Sequence, residues 1–528
     1  MCRTRWPGRL GSNFRRERPG TKPHQRTGQG TSLSDVLPQG WVKTTLDELG
    51  VEAQSGFASG SHNRDGKGIL HLRPMNITRE GTLDLSNARY VLDESNRRVQ
   101  DGDILFNNTN SPALTGKTTL VRLPSPAAYS NHMTRLRVPE GVDAAFMAHQ
   151  LHSLWRSGYF LSILQNHVNQ ASVAKAALLR TPVMLPPLAE QRRIVEALED
   201  HLSHLEAGCR GLEQVKVRSD AYVSRLLQSA VEGRIQPVLQ VDPVREQILS
   251  ERSRIVTGRR SVPRAPAVRS LDGACAQWET MSVDEISWNI EYGTSSKAHS
   301  DPVATSVPVV RMGNIKDRRI VLDSVKYLDT DHEDVRRLML QDGDLLFNRT
   351  NSAELVGKCA VYREGLGPAT FASYLIRCQL VPGVEPDWVK LVISSSAGRR
   401  YLNSIVSQQV GQANINGTKL ATMPIPIPPL GAQRAILETV ERGVEASERL
   451  KSEACQALER AGRLRTALLS KAFSGQLIPQ DPTDEPAAKL LARIEAERVG
   501  EPKVVSTRRL RTGAPRPVPS EAQGELPL

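Results

Sequence analysis

The strongest constraint on this chain is a duplication. The stretch that opens PPLAEQRRIVEAL at Pro186 and closes LLQSAVEGRIQP at Pro237 returns near the C-terminus, opening PPLGAQRAILETV and closing LLSKAFSGQLIP. Gln191 and Gln433 are 242 positions apart, and so are Leu226 and Leu468. An offset held across a whole segment marks a duplicated structural unit. Pro186 and Pro187 punctuate a helix start, Glu190 sits in the first turn, and Gly233 with Pro237 supplies the stop. Apolar residues at 3-4 spacing run Val195, Leu198, Leu202, Leu205, Cys209, Leu212 and resume at Val223, Leu226, Ala230. Gly208, Gly211, Lys216 and Ser219 weaken that seam. At ~1.5 Å per residue, Leu188 to Val231 makes a rod of about 66 Å, whose seam needs a partner helix. The duplicate, about Pro428 to Phe473, is that partner.

The repeat extends upstream. Trp41 matches Trp278, Gly56 matches Gly293 and Tyr90 matches Tyr327 at an offset of 237; Arg73, Asn76 and Ile77 match Arg311, Asn314 and Ile315 at 238. QDGDILFNNTNSPALTGK (100–117) matches QDGDLLFNRTNSAELVGK (341–358) at 241. Short apolar runs between Gly, Asn, Asp and Pro clusters read as strands, and Phe146 to Leu164 as a helix. The expected class is α+β: two similar mixed α/β domains separated by two long antiparallel helices, a tandem repeat with a pseudo-twofold axis. The expected boundaries are a disordered basic extension over 1–37, a first domain over 38–185, a long and a short helix over 186–257, a basic linker over 258–274, a second domain over 275–427, a second helix pair over 428–500 and a disordered tail over 501–528.

A formal net charge of +12 points to a polyanionic partner, nucleic acid before membrane, since no stretch has the ~20 apolar residues that span a bilayer. Six scattered cysteines without C-x-x-C spacing fit a reduced cytoplasmic protein. Catalytic motifs fail on inspection. TGKTT (115–119) lacks the first glycine of a phosphate loop, and its twin has Cys359 after Lys358. Asp101-Gly102-Asp103 and Asp342-Gly343-Asp344 lack calcium-loop spacing and read as tight turns before strands. PDWVK (386–390) lacks the second carboxylate of a nuclease motif. By elimination the chain is a binding protein without a catalytic centre, metal or cofactor of its own.

Asn107, Asn108 and Asn110 with Lys117, and Asn348, Arg349 and Asn351 with Lys358, place amides and a lysine in one loop of each copy, suited to phosphates and base edges. A polar hairpin would look the same. Arg64 and Lys67 in the 57–68 loop, Lys297 in the 294–306 loop, and the repeated Arg73 and Arg311 complete the candidate DNA contacts. Residues shared by both copies should serve fold or backbone grip, whereas Asn108 against Arg349 is a candidate difference in sequence reading.

The motifs PPLAEQRRI and DGDILFNNTNS…GK, in this layout, resemble the specificity subunit of type I restriction–modification systems from Trp41 to about Val499, with Ala432 standing where Glu190 does in the first copy. The resemblance implies two target-recognition domains, each reading half of a split, asymmetric duplex DNA site. It implies helices that act as spacer and docking surface, with Glu190, Gln191, Arg192, Gln433 and Arg434 at their openings. It implies two modification subunits that carry S-adenosylmethionine and methylate adenine N6, and two restriction subunits that use ATP and Mg, all in a prokaryotic cytoplasm. Two other readings of the layout stay open: the recognition subunit of a simpler methylase–nuclease, and a docking scaffold that does not read DNA.

Overall fold

The computed structural model describes residues 37–92, 95–167, 170–235, 244–256, 270–352, 356–409 and 412–500. The basic extension, most of the linker and the tail lie outside them. Both long helices form, Leu188–Val231 and Leu430–Phe473, each 44 residues with ends that match at the 242 offset. The chain divides into two compact units, and the division falls inside both helices, near residues 207 and 459. Each unit thus takes in one of the domains expected over 38–185 and 275–427 together with part of both long helices.

The first-domain unit contains a four-stranded antiparallel sheet in the order Glu52–Ser55, Met133–Arg137, Ile104–Asn107, Thr118–Leu120. Its central strand is buried at every residue, because it lies between two layers. Ile104 and Phe106 enter a core with Met147 and Leu151 of the helix Ala144–Arg156. Leu105, on the opposite face, enters a second core with Leu72, Tyr129 and Met133. Ile69–Leu72 supplies that second layer, pairing antiparallel with Tyr90–Val91 and parallel with Ala128–Tyr129. Thr109–Asn110 leaves the main sheet for a small one with Ala171–Ser172 and Gln165–Asn166.

The second-domain unit repeats this plan. Its main sheet runs Ser287–Tyr292, Leu375–Leu380, Leu345–Asn348, Cys359–Val361. Leu345 and Phe347 face one core and Leu346 the other. The single helix of the first domain becomes two, Pro386–Ser394 and Ser396–Ile405. PDWVK opens the first of these: Trp388 is fully buried and its indole N–H donates to Pro426 O at 2.8 Å, so the segment is structural.

Inside each unit the start of one long helix packs against the end of the other. In the first-domain unit Ile194, Leu198 and Leu202 meet Leu469, Ala472 and Trp41, with Phe146 edge-on to Phe473 at 5.4 Å. In the second, Leu226, Leu227 and Ala230 meet Ile436, Val440 and Val444. The hydroxyl of Ser447 donates to Ser219 O at 3.2 Å, and Lys451 pairs with Asp220 at 2.6 Å. Rising numbers on one helix face falling numbers on the other, so the pairing is antiparallel. Ser219 is 4% exposed and tightly packed rather than a gap in the seam, while Cβ positions at Gly208 and Gly211 would meet nothing within 4 Å.

Two short helices pack on the domains. Val244–Ile255 caps the second domain, with Ile248 buried and Arg252 Nε donating to Ser287 O at 3.0 Å. Ala487–Gly500 caps the first domain in the same way, through Leu490, Ile494 and a 2.7 Å bond from Arg498 to Asp47 O. Each domain is therefore completed by the helix that follows the other domain's long helix.

Candidate nucleic-acid interface

Each domain carries the Asn-rich loop on one backbone frame. Asn107 and Asn348 end the central strands and are wholly buried. The Asn107 amide donates to Leu114 O at 2.9 Å, closing the loop beneath it. Both side chains, expected from the sequence to contact DNA, are thus enclosed beneath the loop surface. The next residue, Asn108 or Arg349, is half-buried. Asn110 is also half-buried, its Oδ1 accepting from Ser111 N at 2.8 Å, and Asn351 occupies the matching strand position.

The two Gly-Lys lysines separate. Lys117 is buried, its ammonium bonded to Ile77 O and, at 3.4 Å, to Pro74 O. Burial depresses its pKa, and nearby Arg79 adds to the effect. Lys117, expected from the sequence to contact DNA, braces the loop against the 74–77 turn. Lys358 is exposed. Lys117→Ala should therefore lower the melting temperature, since the Ile77 carbonyl loses a buried donor at about 1–3 kcal/mol. Lys358→Ala should leave melting unchanged, weaken binding to all duplexes alike and reduce the salt slope by about one counterion. Equal melting of the two variants would contradict this division.

A basic patch gathers around the turn at Pro74–Asn76. Asn63 shapes the 57–68 loop, donating to Lys67 O at 2.8 Å and Tyr90 O at 3.1 Å, and leaves Arg64 and Lys67 exposed. Arg73 Nη2 donates to Asn87 O at 2.9 Å, and its pKa is lowered by burial and by the charges of Arg89 and Arg64. The same crowding by Arg73 and Arg89, after burial, lowers His62. Mutual repulsion of this kind is relieved by an anion. Arg89 and His62 were not among the sequence candidates, although a basic residue precedes the repeated tyrosine in both copies: Arg89-Tyr90 and Lys326-Tyr327. In the second domain Arg311 repeats the role of Arg73, donating to Ser324 O at 2.6 Å, and Lys297 is exposed. The exposed Met75 and Met312 stand in the two equivalent turns.

The helix openings are mostly internal. Gln191 is wholly buried: Oε1 accepts from Asp143 N at 2.8 Å and Nε2 donates to Pro186 O at 2.9 Å. Gln433 repeats both bonds, to Glu385 N and Pro428 O, each at 2.9 Å. The repeated Gln thus fastens each long helix to the helix start of its own domain. Glu190 is buried beside Trp41, and burial raises its pKa. Arg192 is exposed, and the exposed Arg434 pairs with Glu385 at 2.6 Å. No described helix is long and apolar enough to cross a membrane, and the described residues hold no cluster of three potential metal ligands.

The duplicated body, each copy running into a long helix, is the unit of a known family. Residues 38–214 and 276–460 match the type I restriction modification DNA specificity domain, and the chain belongs to this family. It is 25% identical over 482 residues to the EcoKI specificity subunit of Escherichia coli K12, covering 88% of this chain and 96% of that one. The StySPI specificity subunit of Salmonella potsdam is 23% identical over 479 residues, with the same coverage of 88% and 96%. A chain solved in work on complex assembly and conformational transition of the type I restriction–modification system shares the fold, with a TM-score of 0.58 at 18% identity over 84% of this chain and 100% of that one.

Proposed function

We propose that this chain is the DNA-reading, non-catalytic subunit of a type I complex in a prokaryotic cytoplasm. It binds a bipartite, asymmetric duplex site, one half-site per domain. It docks two modification subunits, which supply S-adenosylmethionine and methylate adenine N6, and two ATP-dependent restriction subunits. The observation that carries this reading is one loop frame presented twice, beside basic groups, with different side chains at the position following the buried asparagine. Arg64, Lys67, Lys297 and Lys358 are exposed and suited to phosphates. The long helices, each divided between the two units, support a role as spacer.

Mapping N6-methyladenine in a host that carries the chain with its modification subunit tests the reading. The expected result is a split motif with a fixed unread gap. One heptad inserted into the middle of both long helices keeps the seam in register and adds about 10 Å to each, roughly three base pairs of DNA. The gap should lengthen accordingly while both half-sites stay the same. An unchanged gap would refute the spacer role.

A further inference from the structure

Resting on that reading, we propose that Asn108 and Arg349 are the specificity-determining position of their domains, with Arg349 reading a guanine and Asn108 an adenine. The flanking sequence is the same in both copies, LFN before and TNS after. The backbone is clamped the same way. Asn108 N donates to His132 O at 3.0 Å and Asn108 O accepts from Val173 N at 2.9 Å; Arg349 N donates to Tyr374 O at 3.1 Å and Arg349 O accepts from Ile415 N at 2.9 Å. Two copies that fix one Cα identically and then differ in the side chain have separated what the fold needs from what a half-site needs.

The chemistry of the two side chains fits. Among the described residues Arg349 has no carboxylate within ion-pair reach, whereas Arg363 and Arg377 of the same domain are paired with Asp342 and Glu291. Its guanidinium lies 4.8 Å over the Tyr292 ring, and Nη1 reaches Ser373 O at 3.5 Å. Tyr292 is itself held by a 2.7 Å bond from Gly417 N to its hydroxyl. The stack restricts the rotamers of the fork, whose remaining N–H groups have no partner among the described residues, and this favours bidentate donation to guanine O6 and N7. Asn108 Oδ1 is buried and has no hydrogen-bond partner among the described residues. The residue as a whole is half-buried, and rotating its amide outward would satisfy that oxygen, Oδ1 accepting from adenine N6–H and Nδ2 donating to N7.

The test uses the chain with its modification subunit and the methylation map. Failure of the wild type to give any split motif overturns the functional reading itself. With the motif established, Arg349→Gln should cut discrimination for one guanine, in one half-site only, by about 5- to 150-fold. Asn108→Arg should move one position of the other half-site from adenine to guanine. An unchanged motif in both variants overturns the proposal. Uniform weakening across all sequences, with a salt slope smaller by about one, overturns it in favour of a phosphate contact. Where Arg349→Gln lowers the melting temperature and abolishes modification, Arg349→Lys decides: it keeps the charge but not the fork. Lost guanine discrimination at unchanged melting supports the assignment, and an unchanged motif overturns it.

Discussion

Arg377→Met should destabilise the second-domain unit by about 3–5 kcal/mol at neutral pH, because it leaves a buried carboxylate without its cation. The Arg377 side chain is 5% exposed and Asp344 4%. Nη1 reaches Asp344 at 3.1 Å and Met339 O at 2.8 Å, Nε reaches Glu291 at 3.0 Å, and the guanidinium lies 5.3 Å from the Phe371 centroid. Asp344 also accepts from Gln379 at 3.0 Å and from Gln341 N at 2.9 Å, which fixes the turn before the buried strand. Burial already raises the Asp344 carboxyl above its ordinary value, against the pull of Arg377. Without Arg377 it rises further. A carboxyl whose folded pKa exceeds its unfolded value costs stability above the folded pKa and nothing below the unfolded one. The deficit of Arg377→Met should therefore be full at pH 7 and above, and shrink as pH falls towards about 4. Adding Asp344→Asn should recover part of the loss. Chemical denaturation across pH reads all three outcomes; a deficit that stays constant from pH 8 to pH 5 would mean the Asp344 charge is not its source.

The same motif shows what a sequence can and cannot specify. D-G-D was legible as a turn, and Gly102 and Gly343 do adopt φ of +85° and +88°. The cation that answers the second aspartate was not. In the first copy Asp103 takes a two-pronged bond from Arg137, at 2.8 and 3.0 Å; the 242 offset puts Gln379 at the Arg137 position, and the second copy uses Arg377, two residues earlier on the same strand face. Long elements were legible because periodicity and offset report them directly, hence helix ends that match to the residue. Lys117 and Lys358 follow the same Gly and differ only in surroundings: one ammonium finds the carbonyls of a turn forty residues upstream, and the other stays in solvent. Gln191 and Gln433 read as a repeated polar motif, and repetition alone does not distinguish a docking face from a buried fastening. Arg89 was missed because its role arises only when Arg64, Arg73 and His62 crowd beside it.

Gly56→Ala and Gly293→Ala should each destabilise their own unit by about 2–4 kcal/mol, at or beyond the usual 1–3 kcal/mol of overpacking. A Cβ at Gly56 would lie 2.2 Å from Tyr129 O and 2.3 Å from Ser130 O; at Gly293 it would lie 2.3 Å from Phe371 O and 2.5 Å from Ala372 O. Backbone carbonyls cannot rotate away as a side chain would. The approach is close because the next residue bonds across it: Phe57 N donates to Tyr129 O at 3.1 Å and Thr294 N to Phe371 O at 2.9 Å, while Asn131 N and Ser373 N return bonds to Phe57 O and Thr294 O. The turn held in this way supplies the carbonyls of His132 and Tyr374 that clamp Asn108 and Arg349. Forcing the strands apart should thus loosen the proposed reading position as well as the fold. Gly60→Ala and Gly313→Ala are matched controls, since a Cβ at either meets nothing within 4 Å, and should melt as the wild type does. Because the two clashes lie in different compact units, calorimetry should show each variant lowering its own unit's share of the transition. Hydrogen exchange should speed at residues 108 and 131 in Gly56→Ala, and at 349 and 373 in Gly293→Ala. Melting equal to the controls would mean that the two strands can separate without cost, and the repeated glycine would then need another explanation.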